Sequence, residues 1–280
     1  MNNNTLPTSA STVTDNPNPQ IFKSITIALI PAMIMSMIFF GHRSLLIMLT
    51  SVIACLLFDS LANRFLRKQK LYYWDNQAAL TGILLAFCLP PGIPVWLVLP
   101  GALAAIGTSH ITSGKLSAYR FNPALTGSLL LLICFPGQMS GWSATITSVE
   151  SFTGATPLGM LSGGLKNGQT VTQIITSAGM PGYFDMFWGD VSGSLGETST
   201  IAILIGGLYL FMKKIISWHI PVAVLGSMLL LEGILWMIVP GHFADPIFHL
   251  ITGGAMLGAV FLATYPGTIP ATTTGKIIFG

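Results

Sequence analysis

Long apolar runs broken by short polar punctuation occupy the chain from Ile21 onward. A helix needs about 20 mostly apolar residues to cross the hydrocarbon core of a bilayer. Segments near that length predict eight spans, at 21–40, 44–63, 77–89, 95–111, 122–135, 198–212, 218–239 and 247–264. The third and fifth are short and bounded by Pro or Gly, in CLPPGIP and FNPALTG. They read equally as ordinary Pro-capped helices or as broken, re-entrant helices whose freed backbone groups line an internal site. The first twenty residues, MNNNTLPTSASTVTDNPNPQ, have no apolar run and are expected to form a disordered cytoplasmic tail. They lack the basic start and short apolar stretch of a cleaved signal peptide.

The same pattern contains a weak repeat. SLLIMLTSVIACLLFD, starting at Ser44, aligns with SWHIPVAVLGSMLLLE, starting at Ser217, and brings Asp59 over Glu232. The following segments, LTGILLAFCLPPGIP and ITGGAMLGAVFLATYPGTIP, keep nearly that register. Copies separated by an odd number of spans run in opposite directions, an arrangement common in transport-type membrane folds. The expected fold is therefore an all-α integral membrane protein, an inverted-repeat, multi-span helical bundle with short broken or re-entrant helices. The first copy takes 21–136 with five spans, and 137–197 forms a connecting loop. The second copy takes 198–280 with three spans, so two more are expected for a complete pair.

Composition makes the solvent plain. With 52% hydrophobic and 8% charged residues and a mean hydropathy of +0.72, the chain falls far below the roughly 25% charge of soluble domains. A formal net charge of +3 is too small, and too unevenly placed, for a nucleic-acid footprint. The basic residues report orientation instead. With a cytoplasmic amino terminus, ten of the twelve lie inside, leaving only Arg43 and Lys166 outside, as the positive-inside rule favours. The 137–197 loop then faces outward with Glu150, Asp185, Asp190 and Glu197 against Lys166. Acidic loops of this length are more often functional than merely connecting. Cys55, Cys88 and Cys134 lie apart in apolar runs and read as small membrane-buried residues.

Carboxylates within spans are costly, so Asp59 and Glu232 are candidates for ion or proton handling, against an interfacial role near their span ends. Glu197, in GSLGETS, is a third ion-coupling candidate, although a helix dipole also favours an acid at an amino terminus. Asp75 reads as a helix cap or a residue of a re-entrant site. His110, His219, His242 and His249 lack the helical spacing of metal ligands, and neither a metal ligand nor a catalytic residue is assigned. Trp74, Trp96, Trp142, Trp188 and Trp218 fall near expected interfaces, where an aromatic belt belongs.

Six ordered motifs carry a resemblance: DNQAALTGILLAFCLPP, YRFNPALTG, ESFTGATPL, GSLGETS, ISWHIPV and DPIFHLITGGAMLGAVFLAT. Together they are similar to the RnfD/NqrB family, the flavin-bearing membrane subunits of the Rnf complex and of the Na+-translocating NADH:quinone reductase. The ATPL continuation and short amino-terminal tail look more like RnfD. The resemblance implies covalent FMN, attached by a flavin transferase through a phosphoester to the matching threonine, Thr156. Thr153, Gly154 and Ala155 belong to the same motif, and a further noncovalent flavin stays open. It also implies a multi-pass electron carrier in the bacterial cytoplasmic (inner) membrane, partnered by other membrane and peripheral Rnf subunits and coupled to Na+ or H+ movement. The rival expectations are NqrB of the quinone reductase and a flavin-free solute channel or transporter. Two residues depart from the family pattern: Glu150 replaces the motif's Asp, and ATYP places Tyr265 where the family has an acid. Physically the motif suits modification, since a bare Thr hydroxyl is a weak nucleophile that needs accessible presentation to an activating enzyme.

Charge asymmetry yields the first test. A cysteine introduced near Lys166 is expected to react with a membrane-impermeant maleimide from outside only, and protection from that side overturns the orientation.

Overall fold

The computed structural model describes residues 19–66, 75–112, 121–146, 154–197, 199–239, 241–252, 254–270 and 272–280. Residues 1–18 of the expected 1–20 tail, Glu150 and Thr153 lie outside the described residues, while Pro19 and Gln20 already belong to the first helix. Helices α1 (Pro19–Ala28) and α2 (Ile30–Phe40) make one apolar rod, Gln20–Phe40. The break at Leu29 precedes Pro31, whose missing N–H removes a rung of the helix ladder. That rod, α3 (His42–Leu66) and α12 (His219–Ile238) are long and apolar enough to cross a membrane.

Between them lie shorter apolar helices, α4 (Asn76–Phe87), α5 (Val98–Thr112), α6 (Pro123–Cys134) and α11 (Thr200–Met212). A 12-residue helix such as α4 covers only about 18 Å at the usual rise, well short of a roughly 30 Å hydrocarbon core. Such a helix survives only when protein surrounds it, and every residue of α4 from Ala78 to Phe87 is buried. Helices α1, α3, α5 and α6 pack around it. Close crossings use small residues: a Cβ on Gly82 would fall 2.7 Å from Val52 Cα, and one on Gly206 of α11 would fall 2.1 Å from the Ala28 carbonyl oxygen. Ser51 Oγ donates to the Gly82 carbonyl at 2.7 Å, a buried interhelical bond of the kind that ties membrane helices.

Buried helix ends need partners for their orphan backbone groups. Asp75 caps α4, accepting from Gln77 N at 3.1 Å. At the other end, Leu195 N donates to Leu89 O and Gly196 N to Phe87 O, both at 3.1 Å. Only glycine fits at 196, because a Cβ there would lie 2.3 Å from Phe87 Cβ. Asn122 caps α6 through Ala124 N at 3.0 Å, while its Nδ2 donates to Leu262 O at 2.9 Å. This single buried side chain joins the two halves of the chain.

The apolar stretch at 247–264 is not one helix. It divides into α13 (Pro246–Ile251), α14 (Ala255–Leu257) and a wide turn at Gly258–Leu262, where Ala263 N reaches back to Gly258 O at 2.8 Å. Wide turns of this kind are rare and often occur at functional sites. Thr252 ends α13 in extended backbone, within a Thr-Gly-Gly sequence of weak helix formers.

The segment read as an outward loop is itself folded. It contains α7 (Pro136–Met139), α8 (Pro157–Lys166), α9 (Val171–Ile175) and α10 (Tyr183–Trp188). Leu161, Val171, Ile174 and Met186 share a small core with Ala244 and Phe248. Tyr183 donates its hydroxyl to Asp245, which also caps α13 through Phe248 N at 3.0 Å. Burial, and then the Asp245 carboxylate, push the Tyr183 phenol above its ordinary range. The last helix, α15 (Thr273–Phe279), packs on α12.

Candidate functional site

Thr156 stands immediately before α8 in extended backbone, and its Oγ1 accepts from Gly159 N at 3.0 Å. Pro157 follows as the first helical residue, where a missing N–H costs nothing. Thr156 is half-buried and Ala155 is exposed. Gly154 is held against two other segments of the same chain: a Cβ would lie 1.9 Å from Ser192 Oγ and 3.3 Å from Ala144 Cα. The bare backbone at 154 therefore lets this strand close onto the segment before α11, bringing Thr156 to the wall of a cavity.

That cavity, about 190 Å³, is lined by Thr156, Trp142, Val191, Ser192, Glu197 and Thr252, among others. A larger, mostly apolar cavity of about 620 Å³ lies against it and shares Trp142 and Glu197. Its lining includes Asn122, Leu125, Leu257 and Leu262, so the α6 cap and the wide turn frame its floor. The volume is in the range that ligand pockets occupy. Glu197 sits between two glycines: a Cβ on Gly193 would lie 2.8 Å from its Oε1, and one on Gly254 would lie 3.4 Å from its Oε2. It does not cap α11, since Ser199 does so by accepting from Ala202 N at 3.4 Å.

A second, polar cluster lies at the Arg64 end of α3. Asp59 Oδ1 is 2.8 Å from His110 Nε2, and Asn63 Nδ2 donates to Asp59 Oδ2 at 3.0 Å. Asp75, Gln77 and Ser109 complete the wall of a small cavity there, about 60 Å³ in volume. Glu232 stands apart on α12, with Oε1 3.8 Å from His249 Nδ1. Each lone span carboxylate is thus faced by a histidine. No group of three or more His, Cys, Asp or Glu is arranged to hold a metal among the described residues.

Residues 8–280 match the NQR2, RnfD, RnfE family. The chain belongs to this family. Among its relatives, the D subunit of the proton-translocating ferredoxin:NAD(+) oxidoreductase complex of Clostridium ljungdahlii is 38% identical over 93% of this chain and 78% of that protein. The D subunit of the ion-translocating oxidoreductase complex of Alcanivorax borkumensis is 34% identical, over 97% of this chain and 82% of that protein. Its namesake from Vibrio vulnificus is 31% identical, over 94% and 82%. The chain is a multi-pass membrane protein of the RnfD kind.

Of the candidate residues expected from the sequence, Thr156 and Glu197 meet at one cavity, while Asp59 and Asp75 meet at another. Glu232 joins neither, and Thr153 lies outside the described residues. Trp142, expected only as an interfacial aromatic, lines both of the larger cavities. Ser192 and His110 carry no sequence signal of their own, because their partners are far away along the chain.

The contact at Gly154 gives a measurable consequence. Gly154→Ala is expected to destabilise the purified protein by about 1–3 kcal/mol, as overpacking generally does, seen as a lower midpoint in thermal unfolding. Adding Ser192→Gly to the same chain removes the obstructing atoms and should recover most of the loss. Equal stability of Gly154→Ala and wild type would show that residue 154 does not approach Ser192 this closely.

Proposed function

We propose that this chain is the FMN-carrying membrane subunit of an Rnf-type ion-translocating electron-transport complex. The observation that carries the reading is the placement of the Thr156 hydroxyl at the amino terminus of α8, on the wall of the cavity it shares with Trp142 and Glu197. The names of the relatives supply the complex, and the TGATPL motif supplies the attachment chemistry.

The residues present fit a phosphate-linked flavin. A phosphoryl group on Thr156 Oγ1 would stand at the amino terminus of α8, where Gly159 N already donates to that oxygen and the helix dipole favours negative charge. Ala155 is exposed and Thr156 half-exposed, which leaves the oxygen open to a flavin transferase. The adjoining cavities offer an apolar, partly enclosed space with Trp142 and Glu197 in their shared wall, and the larger leaves room for a noncovalent flavin. When bound, the flavin supplies one- and two-electron redox chemistry, which the protein tunes through position and local charge. Trp142 offers a flat apolar face, and Glu197 places a carboxylate at the junction of the two cavities.

In the proposed orientation the amino terminus is cytoplasmic, the attachment segment lies on the outer side of the inner membrane, and neighbouring Rnf subunits pass electrons to and from it. Asp59 and Glu232 are the candidates for coupling that flow to ion movement, each a carboxylate within an apolar helix and each facing a histidine.

Thr156→Val keeps the side-chain shape but removes the nucleophilic oxygen, so it is expected to abolish the ultraviolet fluorescence of the denatured protein band while leaving membrane insertion intact. Thr153→Val is the control and should stay fluorescent. The reverse result moves the attachment site, and absence of any flavin-modified peptide by mass spectrometry from the wild type ends the flavoprotein reading. For the coupling residues, Asp59→Asn and Glu232→Gln should lower ions moved per electron more than they lower complex assembly. Unchanged coupling in both returns them to an interfacial role.

A further inference from the structure

We infer that the polar cavity between α3, α4 and α5 is a proton-loading site in which His110 Nδ1 is the acceptor, and that Tyr265 links it onward through Thr81. The inference rests on the reading of the chain as a subunit of an ion-translocating complex and names the ion and the group that first takes it.

The histidine is the decisive group. Its side chain is only 9% exposed, and its Nε2 lies against Asp59 Oδ1 at 2.8 Å. Its other nitrogen, Nδ1, is buried and has no hydrogen-bond partner among the described residues. A carboxylate only accepts, so the proton of a neutral imidazole sits on Nε2 and donates to Asp59. That leaves a lone pair on Nδ1 in a buried position, a base awaiting a proton. Protonation there creates an imidazolium already in contact with its counter-ion, because Asp59 is in place on the far side of the ring.

Acidic groups surround the ring. Helix α3 presents Asp59 and, one turn deeper, the buried Cys55, while α4 presents Asp75 at its cap. Helix α6, also packed on α5, brings no acidic or basic side chain, and among the described residues no Lys or Arg lines the cavity. With both aspartates ionised, a proton passing from cavity water to Nδ1 takes the cluster from two negative charges to one. The cavity, about 60 Å³, has several times the roughly 10–15 Å³ that one water needs. A hard metal cation seeks oxygen ligands. Here both Asp59 oxygens are already engaged, by His110 and Asn63, and the unpartnered atom is a nitrogen.

A route leads out of the cavity. Thr81 lines it, donates its hydroxyl to the Gln77 carbonyl at 2.9 Å, and lies 3.4 Å from the Tyr265 hydroxyl. With Thr81 donating to Gln77, Tyr265 is the donor to Thr81. Both residues are buried, at 0% and 3% exposure. Tyr265 thus places an exchangeable proton at that point without a fixed negative charge.

The test uses the assembled complex in sealed inverted membrane vesicles, driven by reduced ferredoxin and NAD+ in sodium-free buffer. Acidification is followed with a pH-sensitive dye, and radioactive sodium uptake is followed in parallel. The wild type should acidify the lumen without sodium, His110→Gln should lose that acidification per electron transferred, and Tyr265→Phe should reduce it. An unchanged ratio in His110→Gln, or sodium uptake in place of acidification by the wild type, overturns the inference. A wild-type complex that transfers no electrons overturns the parent reading instead, and a second measurement then decides the site by itself. In full-length wild-type chain with nitrogen-labelled histidine, in lipid nanodiscs, the His110 Nδ1 resonance should shift from its unprotonated to its protonated position as pH falls. A resonance assigned to His110 that stays fixed from mildly alkaline to mildly acidic pH overturns the proton-loading role.

Discussion

In hydrocarbon, a helix too short to reach water at both ends must have its terminal amides and carbonyls met by protein. Helix α4 is that case, and the rest of the architecture follows from how its ends are met. Asp75 answers the first turn. The carbonyls of Phe87 and Leu89 draw in the backbone amides of Gly196 and Leu195, which pins the segment leading into α11 against the end of α4. Glu197 is the next residue, and its position between two cavities is a by-product of that pinning. A side chain larger than hydrogen at 196 would push this segment away from Phe87 and carry Glu197 with it.

The same economy governs α6, another helix of 12 residues. Asn122 spends its oxygen on capping α6 and its amide on the last carbonyl of the wide turn at Gly258–Leu262. A buried amide satisfied at both ends gives register between two halves of the chain that otherwise meet through apolar contacts. Two of the short helices start alike: α4 and α13 both begin at an aspartate that accepts from the helix backbone, Asp75 and Asp245. Their following helices then diverge, α4 running on to Phe87 while α13 stops at Ile251.

Much of this was legible in the sequence. Apolar run length and Pro/Gly punctuation indicated a helical membrane bundle and marked 77–89 and 122–135 as short, because hydrocarbon thickness acts directly on residue count. The TGATPL string was legible, with Thr156 in it. The residue that requires Gly154 to be bare, Ser192, was not legible, since nothing local at 192 announces a contact 38 positions away. Asp59 stood out as an acid in an apolar run, but His110, 51 positions on, read as a span-end histidine. The fold of 137–197 was missed for another reason: its helices are short, rich in Gly, Ser and Thr, and owe their order to a shared core with Phe248 more than to their own periodicity. The 247–264 run misled in the opposite direction, because hydropathy counts Gly and Thr without regard to their reluctance to continue a helix.

Trp142 and Glu197 form a wall common to two cavities of about 190 and 620 Å³, and a common wall makes the two spaces thermodynamically reciprocal. An occupant on one side that holds the indole or the carboxylate in a particular rotamer changes the affinity on the other side by some factor. Linkage then requires the second occupant to change the first by that same factor. The change need not involve any helix movement, since fixing a side chain that both sites would otherwise have to fix lowers the entropic cost of the second event. Two residues therefore suffice to let the state of one compartment be sensed in the other.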